Sequence, residues 1–225
     1  VGRGLFEPLG VFYESNDTCY LMSGKDIVVY ELSNQISPML LSLHRTPFTG
    51  VVDVFSLGPY LYLTTLEEGF WILDKTDNYR VIGSYDTGVR MSWGFVEKER
   101  AYVRSGNDLH IVDISDPELP QFMGVFSPES GVSSVAVRDD ICYAACATFG
   151  LRVLDVSDPA NITVLDSLPI NNYAFRLAVK DSLVYITGHM HLTAVNVGDV
   201  YDLRELGRTE LSYTIDNTYS PIMVY

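Results

Sequence analysis

The sequence predicts an all-β chain built from repeated four-stranded antiparallel units, and three observations carry that prediction. One stretch recurs: residues 150–169, GLRVLDVSDPANITVLDSLP, repeat the pattern of residues 108–127, DLHIVDISDPELPQFMGVFS, down to the shared Ser-Asp-Pro. The residue that closes the strongest apolar run also recurs, as Glu31, Asp74, Asp113, Asp155 and Asn196, at intervals of 43, 39, 42 and 41 residues. Within each period the apolar runs are short, rich in Val, Ile, Leu, Tyr and Phe, and broken by turn residues, which is the pattern of strands and not of helices.

The clearest copy sets the order of elements. Strand A is GVSSVAV, strand B ICYAACA, strand C GLRVLDV and strand D ITVLDSL. The links between them, Arg138-Asp139-Asp140, Thr148-Phe149-Gly150 and Ser157 to Asn161, are too short for crossover helices, so neighbouring strands run antiparallel. Four such strands in roughly 40 residues make one blade of a β-propeller. The other copies give blades at about 7–45, 51–86, 89–127, 131–169 and 173–211 of one propeller domain spanning 1–225.

The flanking segments fit the same register. Val1-Gly2 aligns with Ile82-Gly83 and Met123-Gly124, so residues 1–6 read as the last strand of a preceding blade. Residues 218–225, TYSPIMVY, align with the start of the fifth unit and read as the first strand of a following one. The expectation is an internal piece of a longer array. The alternative is a closed five-blade ring with two tails.

The string GLRVLDVSDPAN, with SSVAV before ICYAAC, resembles the LVIVD repeat of predicted β-propellers in bacterial and archaeal surface or secreted proteins. The resemblance is strong at 132–166 and 108–124, moderate at 69–85 and weak in the first and fifth units. There Glu31 and Asn196 replace the aspartate, and Ser33-Asn34-Gln35 and Gly198-Asp199-Val200 replace Ser-Asp-Pro. It implies a propeller and an extracellular or cell-surface setting, and it brings no catalytic residues.

Composition narrows the function classes. A net charge of -14 argues against nucleic acid, because phosphate contacts need clustered Lys and Arg. Apolar runs fall well short of the roughly 18 residues of a spanning helix, so the segment carries no expected membrane span. Cys142 and Cys146 stand about 13 Å apart along one strand, too far to bridge, and with Cys19 read as buried thiols.

The Ser-Asp-Pro motif reads as structure. Asp113, Ser115, Asp116 and Pro117, and Asp155, Ser157, Asp158 and Pro159, form turns in which aspartate caps backbone amides and proline presets φ where the chain reverses. Calcium is the lesser reading, since the turns lack the glycine and distal glutamate of a dedicated loop. His189 and His191 have the alternate spacing of two metal ligands on one strand face, but no third ligand is predictable and a variable turn is preferred. No cofactor is expected.

The start of strand A supplies the candidate ligand site, at the mouth of a central channel: Asp53, Arg90, Trp93, Ser133, Ser134, Tyr173 and Arg176. Aromatic and Arg side chains are frequent binding anchors. Glycoside hydrolysis needs two carboxylates around the scissile bond, and Asp53 is the single acid at these positions, so an enzyme is disfavoured. The expected function is a non-catalytic scaffold, monomeric within a larger chain, that binds a protein or glycan through its blade loops. A carbohydrate-active hydrolase and a plain structural spacer are the alternatives.

Overall fold

A computed structural model of the chain describes residues 12–15, 17–23, 25–34, 36–67, 69–170 and 173–210. The part-strands expected at 1–6 and 218–225 lie outside the described residues. The rest forms five four-stranded antiparallel sheets, each following chain order.

Blade 1 holds β1 (Phe12–Ser15), β2 (Thr18–Ser23), β3 (Asp26–Glu31) and β4 (Met39–Arg45). Blade 2 holds β5 (Val51–Leu57), β6 (Tyr60–Thr65), β7 (Gly69–Asp74) and β8 (Arg80–Tyr85). Blade 3 follows with β9 (Met91–Glu97), β10 (Arg100–Ser105), β11 (Asp108–Asp113) and β12 (Gln121–Phe126). Blade 4 contains β13 (Ser134–Arg138), β14 (Ile141–Cys146), β15 (Gly150–Asp155) and β16 (Thr163–Leu168). Blade 5 contains β17 (Arg176–Lys180), β18 (Leu183–Thr187), β19 (His191–Asn196) and β20 (Arg204–Glu210).

Contacts divide the chain into two compact units, Val1–Val96 with Ile114–Gln121, and Glu97–Asp113 with Phe122–Tyr225. Each has its own apolar core. In the first unit Tyr20, Ile27, Val29, Val54, Leu61 and Leu63 pack together. In the second, Tyr143, Leu151, Val153, Leu177, Ile186 and Val195 do the same. Full burial of such side chains contributes about 1.5–3 kcal/mol each. Strands B and C are covered on both faces, as β14 and β15 show, while strand D (β16) is mostly exposed. That is why B and C are the near-continuous apolar runs in the sequence.

Strand A is shorter than its apolar run suggests. In blade 4 it begins at Ser134, not Gly131, because Val132 N–H donates to Asn107 O (3.0 Å) on the preceding blade. Blade 5 repeats the lacing: Ala174 pairs with Ala147 of blade 4, its N–H donating to Ala147 O at 2.9 Å. The residues entering strand A therefore join adjacent blades before they join their own sheet.

Each blade has two chemically different ends. At the turn end, strand A passes to B and strand C to D. Asp139 and Asp140 both take positive φ there (51° and 62°), the pairing a tight type I′ hairpin requires. Asp155 Oδ1 accepts from Ser157 N–H (2.9 Å), and Asp158 Oδ1 accepts from Ala160 N–H (3.1 Å), capping a 3-10 turn at Pro159–Asn161. Asp116 repeats the second bond with Glu118 N–H at 3.0 Å.

Blade 5 keeps this geometry after losing the motif. Asn196 Oδ1 accepts from Gly198 N–H (2.8 Å) and Asp199 Oδ1 from Tyr201 N–H (2.9 Å). In blade 1 Asn34 Oδ1 accepts from Ile36 N–H at 3.2 Å. The Asp74 carboxyl of blade 2, bonded to Thr76, and that of Asp155, bonded to Ser157, lie below the usual carboxylate range because these bonds favour the ionised form.

Strand D carries a β-bulge where register is defined: Val29 faces Ser42, Ile72 faces Gly83, Val153 faces Asp166 and Ala194 faces Gly207, each beside one extra residue. In blades 2, 3 and 4 the residue after the bulge meets the next blade. A Cβ on Gly83 would stand 2.0 Å from the Pro117 carbonyl oxygen, and one on Gly124 1.7 Å from that of Pro159. Only glycine admits such an approach.

Candidate functional site

The other end of each blade, where strand B turns into C, strand D finishes and strand A begins, is the hairpin end. In blade 5 it gathers three rings. Tyr173 and Phe175 lie just before β17, while His189 lies in the turn between β18 and β19 that Gly188 N–H closes onto His191 O at 2.9 Å. Ring centroids are 4.6 Å apart for Tyr173 and Phe175, 4.6 Å for Phe175 and His189 (edge-to-face), and 5.8 Å for Tyr173 and His189. The backbone fixes this cluster: Phe175 N–H donates to Thr187 O (2.8 Å), and the Ala174–Ala147 bridge pins the segment to blade 4.

Blade 4 contributes an exposed ring of its own. Phe149, 39% exposed, sits at its B–C turn with the Arg152 guanidinium 5.3 Å from the ring centroid. Met190, 46% exposed, adds an apolar tip in blade 5. Aromatic faces beside a guanidinium offer stacking and cation–π attraction together.

The hairpin ends also hold buried polar atoms that lack a hydrogen-bond partner among the described residues. They include Thr64 Oγ1, Ser92 Oγ and Trp93 Nε1 in the first unit, and Arg152 Nε, Thr193 Oγ1 and Arg208 Nε in the second. All six stand within three residues of the hairpin end of their strands.

The expected mouth residues divide between the two units. Arg90 is exposed ahead of β9, and Asp53 is half-buried at a bulge of β5, its Oδ1 accepting from Val54 N–H at 3.1 Å. Trp93 is a correction: at 4% exposed it packs as core and offers a ligand no open face. Ser134 is another, since it is 8% exposed and its Oγ accepts from Leu177 N–H of blade 5 at 3.4 Å. Ser133, Tyr173 and Arg176 are half-buried.

For His189 and His191, no cluster of three or more His, Cys, Asp or Glu that could hold a metal occurs among the described residues. His189 packs against aromatic rings instead. Phe175 and Phe149 were legible only as a strand-start position and a link residue. Their partners come from another strand and another side chain, which linear order does not announce.

The class of protein that these sheets define is the β-propeller, and solved structures of low identity share the fold. A functionally unknown protein from Desulfotomaculum acetoxidans superposes with a TM-score of 0.77 at 15% identity, over 94% of this chain and 73% of that one. The β-propeller domain of Myceliophteria thermophila Cps50 (Swd1) gives 0.70 at 11% identity, over 89% and 71%. Kluyveromyces lactis Hsv2 gives 0.68 at 9% identity, over 90% and 63%. No curated protein matches the chain.

Within that class the repeats have a name. The LVIVD repeat model matches residues 98–127 and 131–168, so blades 3 and 4 are LVIVD repeats. The described residues contain no helix long and apolar enough to cross a membrane.

Proposed function

We propose that this chain is a non-catalytic binding scaffold, secreted or held at a cell surface, that takes a carbohydrate or protein partner at the hairpin ends of its blades. The observation that carries the reading is the Tyr173, Phe175 and His189 cluster, three rings held by backbone bonds, one of them to blade 4, which carries the exposed Phe149 at its own hairpin end. Preordered rings lose little entropy on binding and stack on the apolar face of a sugar or on a partner's side chain. The ring cluster favours carbohydrate. The LVIVD repeats support the extracellular setting, and the net charge of -14 disfavours nucleic acid.

The test is a glycan array probed with the purified chain, followed by titration of each hit against Tyr173→Ala and Phe175→Ala. The expected result is a hit whose affinity falls at least tenfold in both variants while their melting temperatures stay near that of the parent. A hit indifferent to both substitutions moves the site elsewhere. No glycan hit at all leaves protein as the partner class, to be sought with the same two variants as controls.

A further inference from the structure

The position after the strand D bulge is a blade-to-blade connector, and the residue there differs with the turn it meets. Gly83 and Gly124 are buried, each under the proline carbonyl of the following blade's Ser-Asp-Pro turn. The Pro120 Cδ also lies 3.2 Å from where a Gly83 Cβ would stand, so a side chain at residue 83 would meet proline twice. Blade 4 has Asp166 instead, and blade 5 has Gly198-Asp199-Val200 in place of Ser-Asp-Pro. There Asp166 Oδ2 accepts from Leu203 N–H at 2.9 Å. Leu203 occupies the place of Pro120, the residue just before strand D, and proline has no N–H to give.

Gly207 is the fifth such position. It follows the same bulge and faces Ala194 as Gly83 faces Ile72. Unlike the two buried glycines it is exposed, nothing among the described residues lies within 4 Å of a Cβ placed on it, and its neighbour Leu206 is 59% exposed. Glycine inside a strand forfeits side-chain packing, so its presence marks a place where another backbone comes close.

We propose that Gly207 is a docking notch for the Ser-Asp-Pro turn of a further LVIVD-type repeat, and that glycine or aspartate at this position selects which turn docks. A glycine leaves room for the proline carbonyl. An aspartate requires an N–H just before strand D, which the Gly-Asp-Val turn of blade 5 supplies at Leu203 and the Ser-Asp-Pro turn of blade 3, ending in Pro120, lacks. The occupant is argued from continuity with the two filled notches in the same chain, and the inference is independent of the ligand reading above.

The test extends the full chain. Residues 218–225 read in sequence as a strand A in the register of 172–179, so a copy of residues 97–126 fused after Tyr225 supplies strands B to D with a Ser-Asp-Pro turn and Pro120 before strand D. A copy of residues 180–210 supplies the same strands with Gly-Asp-Val and Leu203. The 97–126 fusion is expected to raise the melting temperature by several degrees, and the 180–210 fusion by less. Gly207→Val should abolish the gain while leaving the unextended chain unchanged, and Gly207→Asp should reverse the preference between fusions. Absence of a gain with the 97–126 fusion, a gain that survives Gly207→Val, or equal gains from the two fusions would overturn the proposal.

Discussion

The two ends of a blade solve the same problem, what to do with polar groups at the edge of an apolar sheet, in opposite ways. At the turn end, carboxylates and carboxamides fold back onto amides two residues on, in blades 1 to 5, whatever the local sequence. Arg100 adds a tie between blades there, donating to Asp140 Oδ1 and Val156 O, both at 2.9 Å. At the hairpin end, blades differ from one another, and buried hydroxyl and Nε atoms lack partners among the described residues. Repetition where blades must lock and variety where a partner arrives is the division of labour a repeat scaffold needs.

The sharpest way to break this comparison is at the glycines under the turn end. Gly124→Ala drives a methyl into the Pro159 carbonyl, and we expect a loss of about 3 kcal/mol, or about 6–12 °C in melting temperature. The same change at Gly207 should be close to neutral. Equal losses at both positions, read by thermal unfolding, would show that strand propensity and not the turn contact decides the cost.

Next in size is Asp166→Ala, which strips the acceptor from the buried Leu203 N–H and should cost about 1–3 kcal/mol. Asp158→Ala removes the cap of the 3-10 turn and should cost about 1 kcal/mol. Urea titration of both variants checks the order. A larger effect at Asp158 would place the main strength of this end in the turn itself.

The contrast also titrates. Burial pushes the Cys146 thiol, at the hairpin end of β14, from an ordinary 9.0 up to about 11, with Arg152 pulling it partly back. Cys142, towards the turn end of that strand, is pushed higher still by burial and by Cys146. Raised folded values mean that the neutral thiols stabilise the fold fully below the unfolded value, and that this contribution is lost as pH rises from about 9.0 through about 11. Melting temperature should therefore fall over that range, and less steeply in Cys146→Ala. Alkylation at pH 9 should reach Cys146, whose thiolate Arg152 favours, before Cys142, and the reverse order would contradict that assignment.

Much of the fold was legible because a propeller repeats its apolar pattern, and the marker residues from Glu31 to Asn196 stand at the ends of β3, β7, β11, β15 and β19. The turn of blade 5 was read as lost because Asn196, Gly198 and Val200 differ in letter from the motif. The Asn196 and Asp199 side chains nevertheless make the same bond to the amide two residues on. Gly83 and Gly124 were visible as a register, but the reason for them is a carbonyl from the next blade, which one strand's sequence does not contain. Aligning strand starts named Tyr173, Arg176 and Trp93 as mouth candidates, but alignment alone does not tell an open position from a packed one, and Trp93 lies in the core.

The most direct test of the division between the two ends is one thermal unfolding comparison: Thr64→Val and Thr193→Val at hairpin ends against Asp158→Ala at a turn end. Both hydroxyls are buried without a partner among the described residues, so replacing them with an isosteric methyl should raise stability by about 1 kcal/mol, while Asp158→Ala lowers it. Threonine variants that melt lower than the parent would show that their hydroxyls are bonded within the fold, and the hairpin end would then be as self-satisfied as the turn end.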